Sequence, residues 1–156
     1  MISLVLELTG LYTYKYPRPA VTVDIAIFMP TEGGQQILLI QRAFDPFQGM
    51  YALPGGFVDI QETLEAAARR ELEEETGLKV PQLTQVHTFS EPDRDPRGRV
   101  ISTCFAAVLT GDLQFELQAG DDASQAEWFD LKELPSLAFD HAVVIQTVID
   151  KFLQDI

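Results

Sequence analysis

One stretch of the sequence, GGFVDIQETLEAAARRELEEETGL over Gly55–Leu78, constrains the fold and the chemistry more than any other. Apolar residues recur in it at helical spacing, which predicts a helix over residues 61–76. Asp59 with Glu62 three residues later resembles a capping box that starts this helix. Gly77 is typical of a C-cap that ends it, and the two leading glycines permit a tight backbone path.

The acidic residues of this predicted helix break two local rules. Glutamates crowd its last turns, where the helix dipole favours cations, and Glu71 and Glu75 are like charges four residues apart. At about 100° per residue, Glu71 falls in the middle of the apolar stripe, with Glu74 and Glu75 beside it. Natural sequences break local rules mostly at functional sites. Inward carboxylates at this spacing predict an oxygen site for a hard cation such as Mg²⁺, whereas Glu62 and Glu73 are predicted on the far face.

The remaining segments predict one domain over residues 1–156, in which strands alternate with helices. A second amphipathic helix is expected over Phe139–Leu153. This order predicts an α/β fold with a mixed sheet covered by helices on both faces. Strands are expected over residues 4–12, Ala20–Met29, Ile37–Arg42, Tyr51–Leu53, Leu83–Phe89, Val100–Leu109, Leu113–Leu117 and Ala126–Asp130.

The charge of the chain limits its partners. A formal net charge of −13 argues against a nucleic-acid backbone and against an anionic membrane surface. An anionic substrate must therefore meet local cations, either metal ions or a few arginines. The single Cys104 suits a reducing compartment, and the N-terminal residues lack the basic region of a signal peptide. No apolar run approaches a membrane span, so we expect a cytoplasmic protein.

The stretch from Gly56 to Leu78 resembles the Nudix box. The pattern is Gly, five residues, Glu, seven residues, Arg-Glu, an aliphatic residue, one residue, Glu-Glu, one residue, Gly and an aliphatic residue. The order of the flanking strands is also similar to the Nudix α/β/α sandwich with a mixed central β-sheet, which extends the resemblance over nearly the whole chain. The fixed positions are filled by Gly56, Glu62, Arg70, Glu71, Leu72, Glu74, Glu75, Gly77 and Leu78.

This resemblance implies hydrolysis of a nucleoside diphosphate linked to another group, with Mg²⁺ or Mn²⁺ as cofactor. Metal ions neutralise the pyrophosphate oxygens and activate a water for in-line attack. Arg70 and Glu62 match family positions that orient the metal-binding glutamates more often than they touch metal. The positions that match metal ligands are Glu71, Glu74, Glu75 and the carbonyl of Gly55; Arg70 completes the expected catalytic group.

The sequence offers more than one candidate for the general base that takes the proton of the water. Glu71 is the candidate inside the box, and Asp121, Asp122 and Glu116 are candidates outside it. The two aspartates also fit an ordinary turn, and Glu116 alternates with apolar neighbours, as on the solvent face of a strand. His141 has no partner at metal-ligand spacing, so we interpret it as structural.

Four segments outside the box, PRPAVTVD, LLIQR, SEPDRDPRGRVIS and AFDHAVV, are similar to one Nudix branch. That branch holds ADP-ribose pyrophosphatases and the Nudix domains of regulators of NAD metabolism. The resemblance implies a small-molecule substrate, ADP-ribose, cleaved to AMP and ribose 5-phosphate, and a possible homodimer. The winged-helix domain of the regulators is not expected after Ile156, and neither is nucleic-acid or membrane binding. The alternatives are another nucleotide (an oxidised nucleoside triphosphate, NADH or a nucleotide sugar) or a non-catalytic nucleotide sensor.

Candidate substrate contacts lie at a strand end and in a polar loop. Arginines suit the phosphates and the ribose, and phenylalanines suit stacking on the base. A surface salt bridge at Arg42 and an ordinary Asp-Pro turn around residues 94–99 remain the plain alternatives. The candidate arginines are Arg42, Arg94, Arg97 and Arg99, and the candidate phenylalanines are Phe47, Phe57 and Phe89.

Overall fold

The structure is a computed structural model that describes residues 12–110 and 123–154. Most of the edge strand expected over residues 4–12 lies outside this part. So does the possible strand over Leu113–Leu117, together with the alternative bases Glu116, Asp121 and Asp122.

The described residues form a mixed seven-stranded sheet around one central strand, β1. Its neighbours are β2 and β4, both antiparallel to it, and β6, which runs parallel. Strands β3 and β7 both pair with β2, and β5 pairs with β6. The strands are β1 (Ala20–Thr31), β2 (Gly34–Arg42), β3 (Tyr51–Ala52), β4 (Gly55–Phe57), β5 (Thr84–Phe89), β6 (Val100–Val108) and β7 (Ala123–Asp130).

Strand β1 is buried on both faces because a helix covers each side of the sheet. Val23 and Ile25 belong to a core cluster with the first helix. Ala26 and Phe28 belong to a second cluster, on the side of the last helix. A strand covered on both faces lacks a polar face and reads as nearly continuous apolar sequence. The predicted sandwich of the α/β class is confirmed.

Helix α1 (Leu64–Thr76) begins later than the sequence indicated. Its N-cap is Thr63, whose hydroxyl accepts a hydrogen bond from the Ala66 N–H. The predicted capping box forms a separate turn, in which the Asp59 N–H donates to the Glu62 carboxylate at 2.8 Å. Placing Asp59 at the helix start was therefore wrong, because Thr63 competes for the same role one turn later. Gly77 ends the helix with φ 73°, as predicted.

Helix α2 (His141–Val148) continues into a wider π-helical turn over Ile149–Leu153. The predicted start at Phe139 was wrong, since Phe139 has φ 52° and is not helical. The N-cap is Asp140. Among the described residues, no helix is long and apolar enough to cross a membrane.

Strand β4 was not predicted, because its three residues include two glycines, which are rare in strands. It pairs with Thr22, Val23 and Asp24 of β1. This pairing fixes the first residues of the Nudix-like box against the central strand. The box is thereby anchored at its start by the sheet and over its length by α1.

Candidate active site

A cleft of about 430 Å³ opens where strand β4, helix α1, the loop over residues 90–99 and the start of α2 meet. Asp24 of β1 lies on it as well. Its lining holds both acids and arginines, and each type comes from several parts of the chain. The polar and glycine residues along it are Thr22, Asp24, Arg42, Gly55, Gly56, Asp59, Arg70, Glu71, Glu75, Arg94, Asp95, Arg97 and His141.

Gly55 and Gly56 are needed for close approach. A Cβ on Gly55 would lie 2.2 Å from the Val23 carbonyl oxygen, which belongs to the backbone of β1. A Cβ on Gly56 would lie 2.4 Å from the Glu71 carboxylate oxygen. The first glycine thus allows the strand pairing, and the second leaves space for a carboxylate.

Glu71 and Glu75 are the two glutamates of α1 that line the cleft. The Glu71 side chain is 13 % exposed, and burial raises its pKa although Arg70 lies beside it. Glu75 is buried and accepts a hydrogen bond from the Gly55 N–H at 2.9 Å. Both therefore face inward as predicted. The Glu74 side chain is 58 % exposed, so the prediction that it also faces inward was wrong.

Arg70 is hydrogen-bonded to three carboxylates and forms a longer ion pair with a fourth, Asp59, at 3.8 Å. It holds both oxygens of Glu62, at 3.0 and 2.5 Å, and its Nη1 reaches Glu71 at 2.6 Å and Glu74 at 3.2 Å. Hydrogen bonds from Arg70 lower the pKa of Glu62, and hydrogen bonds to Glu62 raise the pKa of Arg70. The prediction that Glu62 lies on the far face was wrong, because Glu62 precedes the helix and does not follow its periodicity. Glu73 is exposed and pairs with Lys79 at 3.0 Å.

Arg70 with its partners Glu62, Glu71 and Glu74, together with Glu75, forms the acidic wall of the cleft. The acids of this wall fit a hard divalent cation by donor type. Carboxylate and carbonyl oxygens are the ligands that Mg²⁺ takes, and a half-buried carboxylate with a raised pKa gains from a nearby positive charge. Within residues 12–110 and 123–154, no three acidic, His or Cys side chains converge as in a formed metal site. Glu71 and Glu74 instead share one nitrogen of Arg70, so a cation bound there would compete with that guanidinium.

A second wall carries guanidinium groups over aromatic rings. The Arg97 guanidinium carbon lies 5.0 Å from the centre of the Phe57 ring and 4.9 Å from that of Phe139, which are cation–π distances. Asp95 accepts hydrogen bonds from the Arg97 backbone and side chain. Burial favours the neutral form of Asp95, but these bonds outweigh it and hold its pKa below the usual value.

The other two predicted arginines of the cleft are already engaged with protein groups. Arg42 donates to the Pro46 carbonyl at 2.7 Å and lies 4.8 Å from the Phe139 ring centre. Arg94 makes two hydrogen bonds to Asp140, at 2.9 and 2.7 Å. The structure thus brings Arg42, Arg94 and Arg97 to the cleft.

Three weaker sequence candidates lie elsewhere. Arg99 donates to the Ser90 carbonyl and does not line the cleft. Phe89 is buried in the core cluster on the side of α2, so the expectation that it stacks on a base was wrong. Phe47 packs edge-on against Phe139, with ring centres 4.8 Å apart, and so supports a residue of the cleft.

Buried polar groups form the floor of the cleft. His141 accepts a hydrogen bond from the Leu53 N–H at Nδ1, and its Nε2 lies 3.4 Å from Asp24. Burial lowers the pKa of His141. Ser102 donates to the other oxygen of Asp24. His141 therefore ties the start of α2 to the residues just before Gly55.

Sequence reasoning missed Asp24, Asp95, Phe139 and Asp140 as residues of this region. Asp24 did carry a signal, because it is a charged residue in the middle of an otherwise apolar strand. The other three lie in loops or at a helix cap. Only the tertiary fold brings them together, and no spacing in the sequence reports that.

Comparison with known proteins agrees with this geometry. A family model described as the NUDIX domain matches residues 18–151. An ADP-ribose pyrophosphatase of Methanocaldococcus jannaschii is 51% identical over 131 residues, covering 84% of this chain and 73% of that protein. An ADPR responsive transcriptional repressor of Acinetobacter baylyi is 40% identical over 135 residues, covering 84% of this chain and 53% of the repressor.

Solved structures are similar as well. The NUDIX domain of Shewanella oneidensis NrtR, in a complex with ADP ribose, superposes with a TM-score of 0.80 at 31% identity. The match covers 92% of this chain and 96% of that one. The likeness therefore includes the fold and nearly all of its length.

Proposed function

The chain belongs to the Nudix family, and we propose that it is a pyrophosphohydrolase that cleaves ADP-ribose to AMP and ribose 5-phosphate. The relative at 51% identity is named for this activity, and a structural neighbour is bound to ADP ribose. The match to the repressor spans about half of that protein's length.

The observation that carries the proposal is the pairing of two unlike walls in one cleft. Glu71 and Glu75 bring carboxylates from α1, while Arg94 and Arg97 bring guanidinium groups from the loop over residues 90–99. A nucleoside diphosphate joined to a sugar needs both, since cations must neutralise its phosphates and aromatic or cationic groups must hold its ends.

The residues of the acidic wall have separable roles in this proposal. Glu71, Glu74, Glu75 and the Gly55 carbonyl would hold the divalent cation, which when bound polarises the pyrophosphate and lowers the pKa of water. Nudix hydrolases generally use divalent metals, and for this chain we propose Mg²⁺ or Mn²⁺. Arg70 orients Glu71 and Glu74, because it donates to both from one nitrogen.

Glu71 is the general base that the described residues favour. It lines the cleft beside Glu75, where a carboxylate can take the proton of a water that attacks the pyrophosphate. Asp121, Asp122 and Glu116 lie outside the described residues and stay alternatives. Each of these four residues is substituted singly, and kcat of each variant is measured as a function of pH. The variant that loses the dependence of kcat on the base identifies it.

Hydrolysis of a nucleotide panel tests the proposed substrate. The protein is incubated in Mg²⁺ with ADP-ribose, an oxidised nucleoside triphosphate, NADH and a nucleotide sugar, and the products are separated by chromatography. We expect the highest kcat/KM for ADP-ribose, with AMP and ribose 5-phosphate as products. Release of pyrophosphate from the triphosphate, with ADP-ribose untouched, would contradict the proposal. Calorimetric binding of ADP-ribose without turnover in either metal would indicate a sensor instead.

Four further predictions accompany this proposal. We expect a single Nudix domain over residues 1–156, a cytoplasmic protein and a homodimer, with a small nucleotide rather than nucleic acid or membrane as its partner. The net charge of −13 favours the last of these. Size-exclusion chromatography with light scattering tests the homodimer.

A further inference from the structure

The loop over residues 90–99 is joined to the start of α2 by one ion pair. The Arg94 Nε donates to Asp140 Oδ2 at 2.9 Å, and Nη2 donates to Oδ1 at 2.7 Å. The Arg94 side chain is only 4 % exposed. A buried guanidinium with two parallel bonds to one carboxylate is geometrically fixed.

This burial changes the role that the sequence suggested for Arg94. Removing one partner of a buried ion pair leaves the other charge uncompensated, which is strongly unfavourable. Leaving Asp140 in order to bind substrate would impose a similar cost on Arg94. The guanidinium of Arg97, by contrast, lies over two rings of the cleft and is less buried than that of Arg94.

The ion pair lies beside the contact between Arg97 and Phe139, two residues that line the cleft. Arg97 follows Arg94 by three residues, and Phe139 directly precedes Asp140. The Arg97 guanidinium and the Phe139 ring lie 4.9 Å apart. The Arg94–Asp140 pair therefore fixes the two chain segments whose side chains meet across the cleft.

We infer that Arg94 is a positioning residue: through Asp140 it holds Arg97 against Phe139, and so sets nucleotide affinity without acting on the scissile bond. The inference rests on the proposed function, because the ligand is the nucleotide proposed above. An interaction that is equally strong in the ground state and the transition state changes KM and leaves kcat alone. Neither Arg97 nor Phe139 belongs to the acidic wall where the bond is proposed to break.

A double-mutant cycle distinguishes positioning from direct substrate contact. Arg94→Gln, Asp140→Asn and the double variant are compared with the original protein by calorimetric Kd and by kcat and KM. We expect each single variant to weaken binding by a similar factor, about tenfold, with kcat within about twofold. The double variant should be no weaker than either single one, because both substitutions remove the same pair. The Asp140 side chain makes no capping hydrogen bond to α2, so the change to asparagine removes no cap from this helix.

Direct contact gives a different pattern and overturns the inference. In that case Arg94→Gln weakens binding far more than Asp140→Asn, and the two effects add. Arg94→Lys provides a variant that keeps the charge but not the two-bond geometry, and unchanged binding in it would also overturn the inference. Arg99→Gln is the matched control, since Arg99 belongs to the same loop but does not line the cleft.

The calorimetric readout keeps this test separate from the proposed function. If ADP-ribose binds but is not hydrolysed, the hydrolysis proposal fails while the Kd cycle still decides the role of Arg94. If another nucleotide of the panel binds in its place, the substrate proposal fails and the same cycle is measured with that nucleotide. Thermal unfolding of each variant shows that it is folded at the assay temperature.

Discussion

The two walls of the cleft differ in how their charged side chains are paired. On the acidic wall, formed by Glu62, Arg70, Glu71, Glu74 and Glu75, three carboxylates share the single guanidinium of Arg70. On the arginine wall, formed by Arg42, Arg94, Arg97 and Phe139, Arg94 and Arg97 each have a carboxylate of their own.

The pairing of the charges indicates what each wall is suited to bind. Carboxylates in excess over local cations repel one another and gain when a further cation arrives. Arginines with individual acids are already oriented and lose little freedom when they bind an anion. The acidic wall is thus suited to a metal ion, and the arginine wall to the substrate.

The largest expected effect comes from neutralising a buried acid of the acidic wall. Glu75→Gln should lower kcat by a factor of roughly 100 or more, because an amide is a poorer cation ligand than a carboxylate. The amide oxygen can still accept the Gly55 N–H bond, so the melting temperature should change little. Glu73→Gln is the matched control, since Glu73 is exposed and pairs with Lys79. Similar rates for the two variants would remove the distinction between inward and outward glutamates.

Substitution of the two glycines at the start of the box should affect activity and stability differently. Gly56→Ala places a methyl group against the Glu71 carboxylate, which can swing away, so activity should fall at least tenfold with a modest change in stability. Gly55→Ala meets the Val23 backbone oxygen and should destabilise the fold by about 1–3 kcal/mol. Parallel measurements of kcat/KM and of chemical unfolding check both. A stable, active Gly55→Ala protein would contradict the close packing of β4 on β1.

The arginine wall should respond mainly in KM. Arg97→Gln removes the guanidinium that lies over the Phe57 and Phe139 rings, and we expect KM to rise about tenfold, or about 1.4 kcal/mol, with kcat nearly unchanged. Steady-state kinetics with ADP-ribose measure both constants. A large loss of kcat with unchanged KM would assign Arg97 to the chemical step. It would contradict the view that the arginine wall acts only in binding.

The smallest effect concerns the floor between the walls. Because burial lowers the pKa of His141 in the fold, the unfolded chain binds a proton first as pH falls below about 6.5. The contribution of neutral His141 is therefore complete above that pH and decreases as pH falls toward the lower folded value. Thermal unfolding between pH 8 and pH 5 should show a flatter decline for His141→Gln than for the original protein. His87→Gln, on an exposed ring, is the control, and equal slopes for both variants would contradict the assignment.

Sequence reasoning reached the acidic wall because that wall is nearly continuous in the chain. Helical periodicity orders Glu71 and Glu75, and the glycines lie just ahead of them. Helical periodicity failed at Glu62, because this residue lies in a turn before the helix. It also failed at Glu74, which the helical angle places beside Glu71 but whose side chain is exposed.

The arginine wall could be predicted only in part. Its residues come from the end of β2, from a loop and from the residue before a helix cap. Arg42 and Phe139, the first and last of them, are 97 positions apart in the sequence (139 − 42). The arginines stood out by residue type, but their acids did not. No periodicity indicates that Asp140 accepts a hydrogen bond from Arg94. Phe139 has a left-handed backbone with φ 52°, which a bulky residue rarely adopts and its sequence does not indicate.

The most direct test of metal-dependent pyrophosphate hydrolysis is a product analysis of ADP-ribose incubated with the protein, followed by phosphorus NMR. With Mg²⁺ or Mn²⁺ present, we expect the pyrophosphate resonances to be replaced by those of AMP and ribose 5-phosphate, and the conversion to stop when a chelator is added. Intact ADP-ribose in both metals, at a protein concentration where calorimetry shows the nucleotide bound, would contradict the function proposed for this cleft.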